Sequence, residues 1–413
     1  MAPTRPADPT TAAPLKNNRN FRLLWVGQTF SQLGAKVVAI AAPMVVLAET
    51  NSPTLAGAVG FVALAPSVIL YLHAGALVDQ WSKRRTLIAS EVVRLAVLVS
   101  FVLTTIIFGF NLAALCVLMV LEGVCTLFST LAERAALPSY VVELDYPNAY
   151  SVNEVRTRIG TLLGPSLAGA LVGVATMLPF ATSAVMAGGS LFTARRLPSD
   201  VAISSNSPKV RRKLEVKAGL RWLIVNPFFL WTGIAVAATN IIGVAFPISA
   251  IARLDAMGAS PWESGLVLAA LGAGGLVGAW IAPRVVARVA PAVVVIGSRW
   301  AIGASLLCAA LAPTPALMAV FLPLISVAAV MSNVALNSVR AAAVPVDLRA
   351  RVDGALGLIG GTLAPVGALI AGLFADWYGA DRGMVILAIV MILIAGAVNA
   401  VKTIRRGVPS ENG

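Results

Sequence analysis

The sequence predicts an all-α integral membrane protein of twelve transmembrane helices in two pseudo-symmetric six-helix bundles. Three observations lead there. Of 413 residues, 58% are hydrophobic and only 12% are charged, against roughly 25% charged in a soluble chain. The apolar residues fall into twelve runs, at about 23–48, 55–78, 86–109, 111–135, 153–175, 177–194, 225–251, 262–284, 290–312, 314–338, 353–376 and 383–402. Each approaches the roughly 20 residues that a helix needs to cross a bilayer. Finally, Lys and Arg border these runs on alternate sides.

That alternation predicts the topology. Arg5, Lys16, Arg19 and Arg22 precede the first run. Lys83 to Arg85, Arg134, Arg195 to Arg221, Arg284 with Arg288, and Arg340 to Arg351 fill the later connections on the same side, and Lys402, Arg405 and Arg406 follow the last run. The other side has little beyond Arg253 and Arg382. The positive-inside rule then predicts a multi-pass protein of the cytoplasmic membrane with both termini cytoplasmic. The expected units are a tail over 1–20, a bundle over 21–196, a polar cytoplasmic linker over 197–217, a second bundle over 218–404 and a tail over 405–413.

Other readings are disfavoured. The net charge of +13 borders apolar spans, which indicates topology and contact with membrane lipids rather than nucleic acid. Cys116, Cys125 and Cys308 lie within apolar runs and show no metal spacing. His73 is the single histidine, and a core or interfacial place suits it better than a proton relay. No metal, cofactor or catalytic constellation is expected. The first run is too long for a signal h-region and reads as an uncleaved span. Gly272-Ala-Gly-Gly-Leu-Val-Gly278 lacks nucleotide-loop spacing and reads as close helix packing.

Between the second and third runs lies Gly75-Ala-Leu-Val-Asp79-Gln-Trp-Ser-Lys83-Arg84-Arg85. An acid at a span mouth followed by three cations resembles the signature loop of the major facilitator superfamily, with Gln80 and Ser82 departing from its pattern. The resemblance implies a cytoplasmic gate at Gly75, Asp79, Lys83, Arg84 and Arg85; a topology signal alone is the simpler reading.

The halves repeat weakly. Arg94 and Arg299 are offset by 205, Arg134 and Arg340 by 206, and Pro165 and Pro365 by 200, as duplicated transporter halves would be. The acid of the Asp79 loop has no copy beside Arg284 and Arg288.

Gly160-Thr-Leu-Leu-Gly164-Pro165-Ser-Leu-Ala-Gly169 resembles the Gly-Pro element of proton-coupled exporters, with Ala168 where glycine is frequent. Helix packing alone also explains it. With Asn20 to Gln28, Pro66, Ser90 to Arg94, Pro345 and Arg349 to Arg351, the chain is similar to the macrolide- and siderophore-exporter branch of drug:proton antiporters. That branch has Asp after the first-span glycine; here Gly34 is followed by Ala35 and Lys36.

Lys36 lies about 13 residues into its span, roughly 20 Å deep, and Glu122 is about equally deep in the fourth. Intramembrane ionisable groups are functional candidates by default. The two are expected to face the cavity as a proton-exchanging pair, or else to form a static pair. Glu91 and Arg94 share one helix face and are expected near Asp79 and Arg134, either as a gate network or as a permanent ion pair. Glu154, Arg156 and Arg158 read as an interfacial anchor.

The expected function is a monomeric secondary transporter that expels an amphipathic or hydrophobic small molecule by proton antiport and alternating access. An importer of the same fold is the first alternative, and a polytopic membrane enzyme the second.

Overall fold

The computed structural model describes residues 18–141, 145–198, 219–345, 348–401 and 404. Most of the expected linker and both tails lie outside the described residues, including Arg5, Lys16, Arg211, Lys402 and Arg405. The helices that build the fold are α1 (Arg19–Thr50), α2 (Pro53–Gln80), α3 (Lys83–Phe108), α4 (Leu112–Tyr140), α5 (Tyr146–Val174), α6 (Leu178–Arg195), α7 (Pro227–Ala256), α8 (Pro261–Val286), α9 (Pro291–Leu311), α10 (Pro315–Ala343), α11 (Arg349–Thr362), α12 (Ala364–Tyr378) and α13 (Ala380–Ala400).

Local chemistry sets the helix starts. Asn18, Ser52, Ser82, Asn111, Ser260 and Thr314 each cap a helix with a side-chain oxygen that accepts a free backbone N–H. Such a cap stabilises by about 1 kcal/mol. Proline occupies the first turn of α2, α5 to α10 and α12, where its missing N–H costs nothing.

Eleven candidate spans are long and apolar enough to cross a membrane, with α11 and α12 forming one of them. The twelfth expected span is α6. Its 18 residues include the buried Ser183, Ser190 and Thr193, which dilute its apolar character; the Ser183 hydroxyl donates to the Gly34 carbonyl of α1 and that of Thr193 to the Ser190 carbonyl.

One expected span differs. The sequence predicts a single helix over 353–376, but the structure interrupts it at Leu363. Pro365 cannot donate to the Gly361 carbonyl one turn back, and the neighbouring Gly360 carbonyl accepts from Asn240 Nδ2 on α7 at 2.9 Å.

The six N-terminal spans and the six C-terminal spans form two bundles that meet mainly at one end. There α5 packs on α8 and α2 on α12. A Cβ on Gly169 would lie 2.3 Å from the Pro261 carbonyl, and one on Gly57 2.4 Å from that of Ala368. Glycine is what allows these backbones to touch. The largest buried apolar cluster, from Val37–Leu47 to Ile242, Phe246 and Met318, draws on both halves. At the opposite end each half has its own cluster, one around Leu24, Leu87 and Ala136, the other around Leu223, Phe228 and Val352. The face of α11 and α12 that touches α2 through Ala368 and Gly372 continues to Gly361, Gly357 and Gly354, where nothing among the described residues lies within 4 Å of a would-be Cβ. The molecule is shut at the end bearing the α1–α2 turn. It is open at the end bearing the α2–α3 loop.

Candidate functional site

Two polar stripes face each other inside the N-terminal bundle. On α4 they are Glu122, Thr126, Ser129 and Glu133, spaced four, three and four residues apart; on α1 they are Gln28, Ser31 and Gln32. Each spacing keeps side chains on one helical face. Between them enters Arg94 from α3, with 3% exposure.

Arg94 Nε donates to Glu122 Oε2 at 3.0 Å, Nη2 to Thr126 Oγ1 at 2.6 Å, and Nη1 to Ser31 Oγ at 2.6 Å. Its contact with Glu91 is looser, at 3.5 Å. Glu91 Oε1 accepts from Ser31 Oγ at 2.6 Å and from Ser129 Oγ at 3.4 Å. Two buried carboxylates thus share one guanidinium. Each keeps one oxygen without a hydrogen bond, Glu91 Oε2 and Glu122 Oε1. One proton delivered to either acid would make this cluster neutral, and the spare oxygens supply places to hold it.

One to two turns nearer the open end is a balanced pair. Arg156 Nη2 on α5 donates to Glu133 Oε1 on α4 at 2.6 Å, and Gln32 Nε2 on α1 donates to Glu133 Oε2 at 3.0 Å. Both charges are buried.

These geometries correct three expectations. Glu122 pairs with Arg94, not with Lys36; Arg94 reaches α4 because its stem spans the short gap that the small residues Ser31 and Thr126 leave. Arg94 and Glu91 bond to α1 and α4 and do not join Asp79 or Arg134. Arg156 is no interfacial anchor but a buried partner of Glu133, a residue the sequence reading missed; only Glu154 and Arg158 pair near the surface, at 2.7 Å.

The expected gate residues cluster at the open end. Lys83 Nζ donates to the carbonyls of Val78, Asp79 and Trp81 at 3.0, 2.9 and 3.1 Å, closing the C-terminus of α2, where a cation is favourable. Arg84 donates to the Arg195 carbonyl at the end of α6 at 2.6 Å. Gly75 lies in the last turns of α2, and Asp79, Arg85 and Arg134 are exposed. Arg340 pairs with Asp353 at 3.1 Å and with Asn337, all in the C-terminal half.

The Gly-Pro element does two things on α5. Gly164 makes room for Lys36, whose Cβ would lie 2.8 Å from a Cβ there, while the Pro165 carbonyl would lie 2.6 Å from a Cβ on Gly265 in the other half. Gly169 continues that contact, and Gly160 faces open space. Among the described residues no group of His, Cys, Asp and Glu could hold a metal.

Two six-helix bundles, joined at one end around a cleft with buried charges in its wall, define a membrane transporter. The chain belongs to the Major Facilitator Superfamily, whose family model matches residues 24–366. It is 25% identical over 378 residues to the multidrug efflux pump Tap of Mycolicibacterium fortuitum, covering 87% of this chain and 90% of the relative. Among solved structures it resembles the nucleoside transporter NupG, with TM-score 0.70 and 16% identity over 92% of this chain and 98% of that one. It also resembles an inward-facing, unoccupied bacterial homolog of the human lysosomal transporter Spinster, with TM-score 0.70 and 14% identity over 96% and 99% of the two chains. At these identities the structures speak for the fold alone.

Proposed function

We propose that this protein is an exporter of the cytoplasmic membrane that expels an amphipathic or hydrophobic small molecule in exchange for protons. Similarity to a multidrug efflux pump across most of both chains supports the direction and the broad substrate class. The observation that carries proton coupling is the buried Glu91–Arg94–Glu122 cluster, which ties α1, α3 and α4 together with one carboxylate in excess. A proton on Glu122 would release its hold on Arg94 and loosen α4 from α3; loss of that proton would restore it. The cation distribution supports a cytoplasmic open end, which would make the conformation described inward-open. The exposed loop of Asp79, Lys83, Arg84 and Arg85, with Arg134 and Arg340, would close that end in the alternate conformation.

The test uses proteoliposomes under an imposed proton gradient. Glu122→Gln keeps the shape of the acid but cannot carry the proton, so uphill export should be lost while substrate binding persists. Uphill export by Glu122→Gln at the wild-type rate would remove the cluster from the mechanism. A compound-sensitivity panel in a pump-deficient host, with and without an uncoupler, tests export itself.

A further inference from the structure

Lys36 stands apart from every other charge in the membrane interior. It lies midway along α1 and is exposed, and its ammonium has no ion pair or hydrogen bond among the described residues. Its helical face is that of Gln32, the residue one turn nearer the open end that bonds Glu133. Across from it, α5 offers Gly164, whose missing side chain accommodates the lysine stem. The next residue, Pro165, touches Gly265 of the other half. The same seam continues toward the open end, where Leu162 meets Gly272 and Arg158 approaches Gly275, so Lys36 lies at mid-depth beside the line along which the two halves touch. On α5 beside Gly164, Leu163 is exposed and apolar, and Gly160, about one turn nearer the open end, has nothing within 4 Å of a would-be Cβ among the described residues. Of the mid-depth acids, Glu122 and Glu91 are engaged by Arg94 and Glu133 by Arg156.

A cation that water reaches in the open conformation is tolerable. When the open end shuts around the cleft, the same cation loses its water without gaining a partner, which is costly. A ligand that brings an anion to Nζ removes that cost, and an apolar body fills the rest of the space.

We propose that the transported molecule is an amphipathic anion, an apolar body bearing a carboxylate, phenolate or phosphate, and that Lys36 holds its charged group. This rests on the transporter reading above and narrows its substrate class. A one-for-one exchange of a monoanion for a proton moves two positive charges inward per cycle, so an inside-negative membrane potential helps to drive it.

The full chain in lipid nanodiscs is titrated with dansyl-labelled undecanoate, its methyl ester and the matching alkyl-trimethylammonium. The wild type should bind the carboxylate about tenfold more tightly than the ester. Lys36→Gln should bring the two within about twofold while still binding the ester, which shows that the cleft is intact. Lys36→Arg should keep the preference, and Lys36→Glu should favour the ammonium probe. A wild type that prefers the ester or the ammonium overturns the assignment, as does a Lys36→Gln variant that discriminates like the wild type. Export of the same probes from proteoliposomes separates the two claims. Charge preference that follows Lys36 without any export sinks the exporter reading and leaves the site. Export with a preference indifferent to Lys36 does the reverse.

Discussion

Gly169 on α5 and Gly265 on α8 bring two backbones into direct contact at the shut end. A Cβ on Gly169 would stand 2.3 Å from the Pro261 carbonyl and 2.7 Å from Gly265 Cα, so Gly169→Ala must push the halves apart. Overpacking of this kind costs about 1–3 kcal/mol. Under alternating access the cost falls only on the conformation described here, because the methyl is unopposed once α5 and α8 separate at this end. The variant should therefore shift the population toward the opposite-facing conformation by about 5- to 150-fold. The readout is a spin-label distance between Val174 and Trp377, which sit at the shut end of different halves with 78% and 69% exposure. Cys116, Cys125 and Cys308 are replaced beforehand. The distance distribution should lengthen in Gly169→Ala and stay put in Gly188→Ala, where a Cβ meets nothing within 4 Å. An unchanged distribution in a well-folded Gly169→Ala protein would refute the idea that this contact stabilises one conformation selectively.

Other outcomes follow from the buried charges and the topology. Glu133→Gln strands Arg156, whose Nε and Nη1 already lack partners, so thermal unfolding in detergent should show a loss of about 3–5 kcal/mol, with much of it recovered in Glu133→Gln/Arg156→Gln. Arg299→Met should be neutral or stabilising in the same assay, because Arg299 is 2% exposed and among the described residues bonds only the Val295 carbonyl and Ser332 Oγ, whereas Arg94→Met strands two acids and should cost about 3–5 kcal/mol. Ser205 lies outside the described residues; a cysteine there, in a Cys-free background, should resist an impermeant thiol reagent in intact cells and react after lysis.

The fold was legible because bilayer thickness writes itself into sequence as run length, and eleven of the twelve expected runs each fall on one helix. The α11–α12 break was legible only in part: Pro365 announces it, but the bond that Asn240 gives the Gly360 carbonyl beside it comes from a helix 120 residues away. The site was read less well. Depth and charge single out Glu122 and Lys36 as mid-span charges, but pairing depends on helix rotation, which depth does not reveal. A usable signal existed. The 122, 126, 129, 133 spacing on α4 is a polar stripe at helical period in an otherwise apolar segment. Its end, Glu133, went unnoticed because it adjoins Arg134 and reads as part of the basic connection. Arg156 was hidden in the same way between Glu154 and Arg158, although Glu154 and Arg158 are four residues apart and already satisfy each other.

The repeat offsets explain why the two halves, built alike, differ in what they can hold. Arg94 and Arg299 correspond at an offset of 205, and their hydroxyl partners Thr126 and Ser332 at 206. The acids do not correspond. At the same offsets Glu91 meets Ile296, Glu122 meets Ala328 and Glu133 meets Val339, while Arg156 meets Leu356 at the offset of 200. The C-terminal half carries the guanidinium–hydroxyl pair with no carboxylate at the corresponding positions. Its remaining described acids, Asp255, Glu263, Asp353, Asp376 and Asp381, lie near helix ends. Buried charge is expensive and is retained where it does something an apolar residue cannot. The buried carboxylates therefore belong to the N-terminal half, Glu91 on α3 and Glu122 and Glu133 on α4, beside α1 and α5, which carry Lys36 and the Gly164–Pro165 contact to the other half.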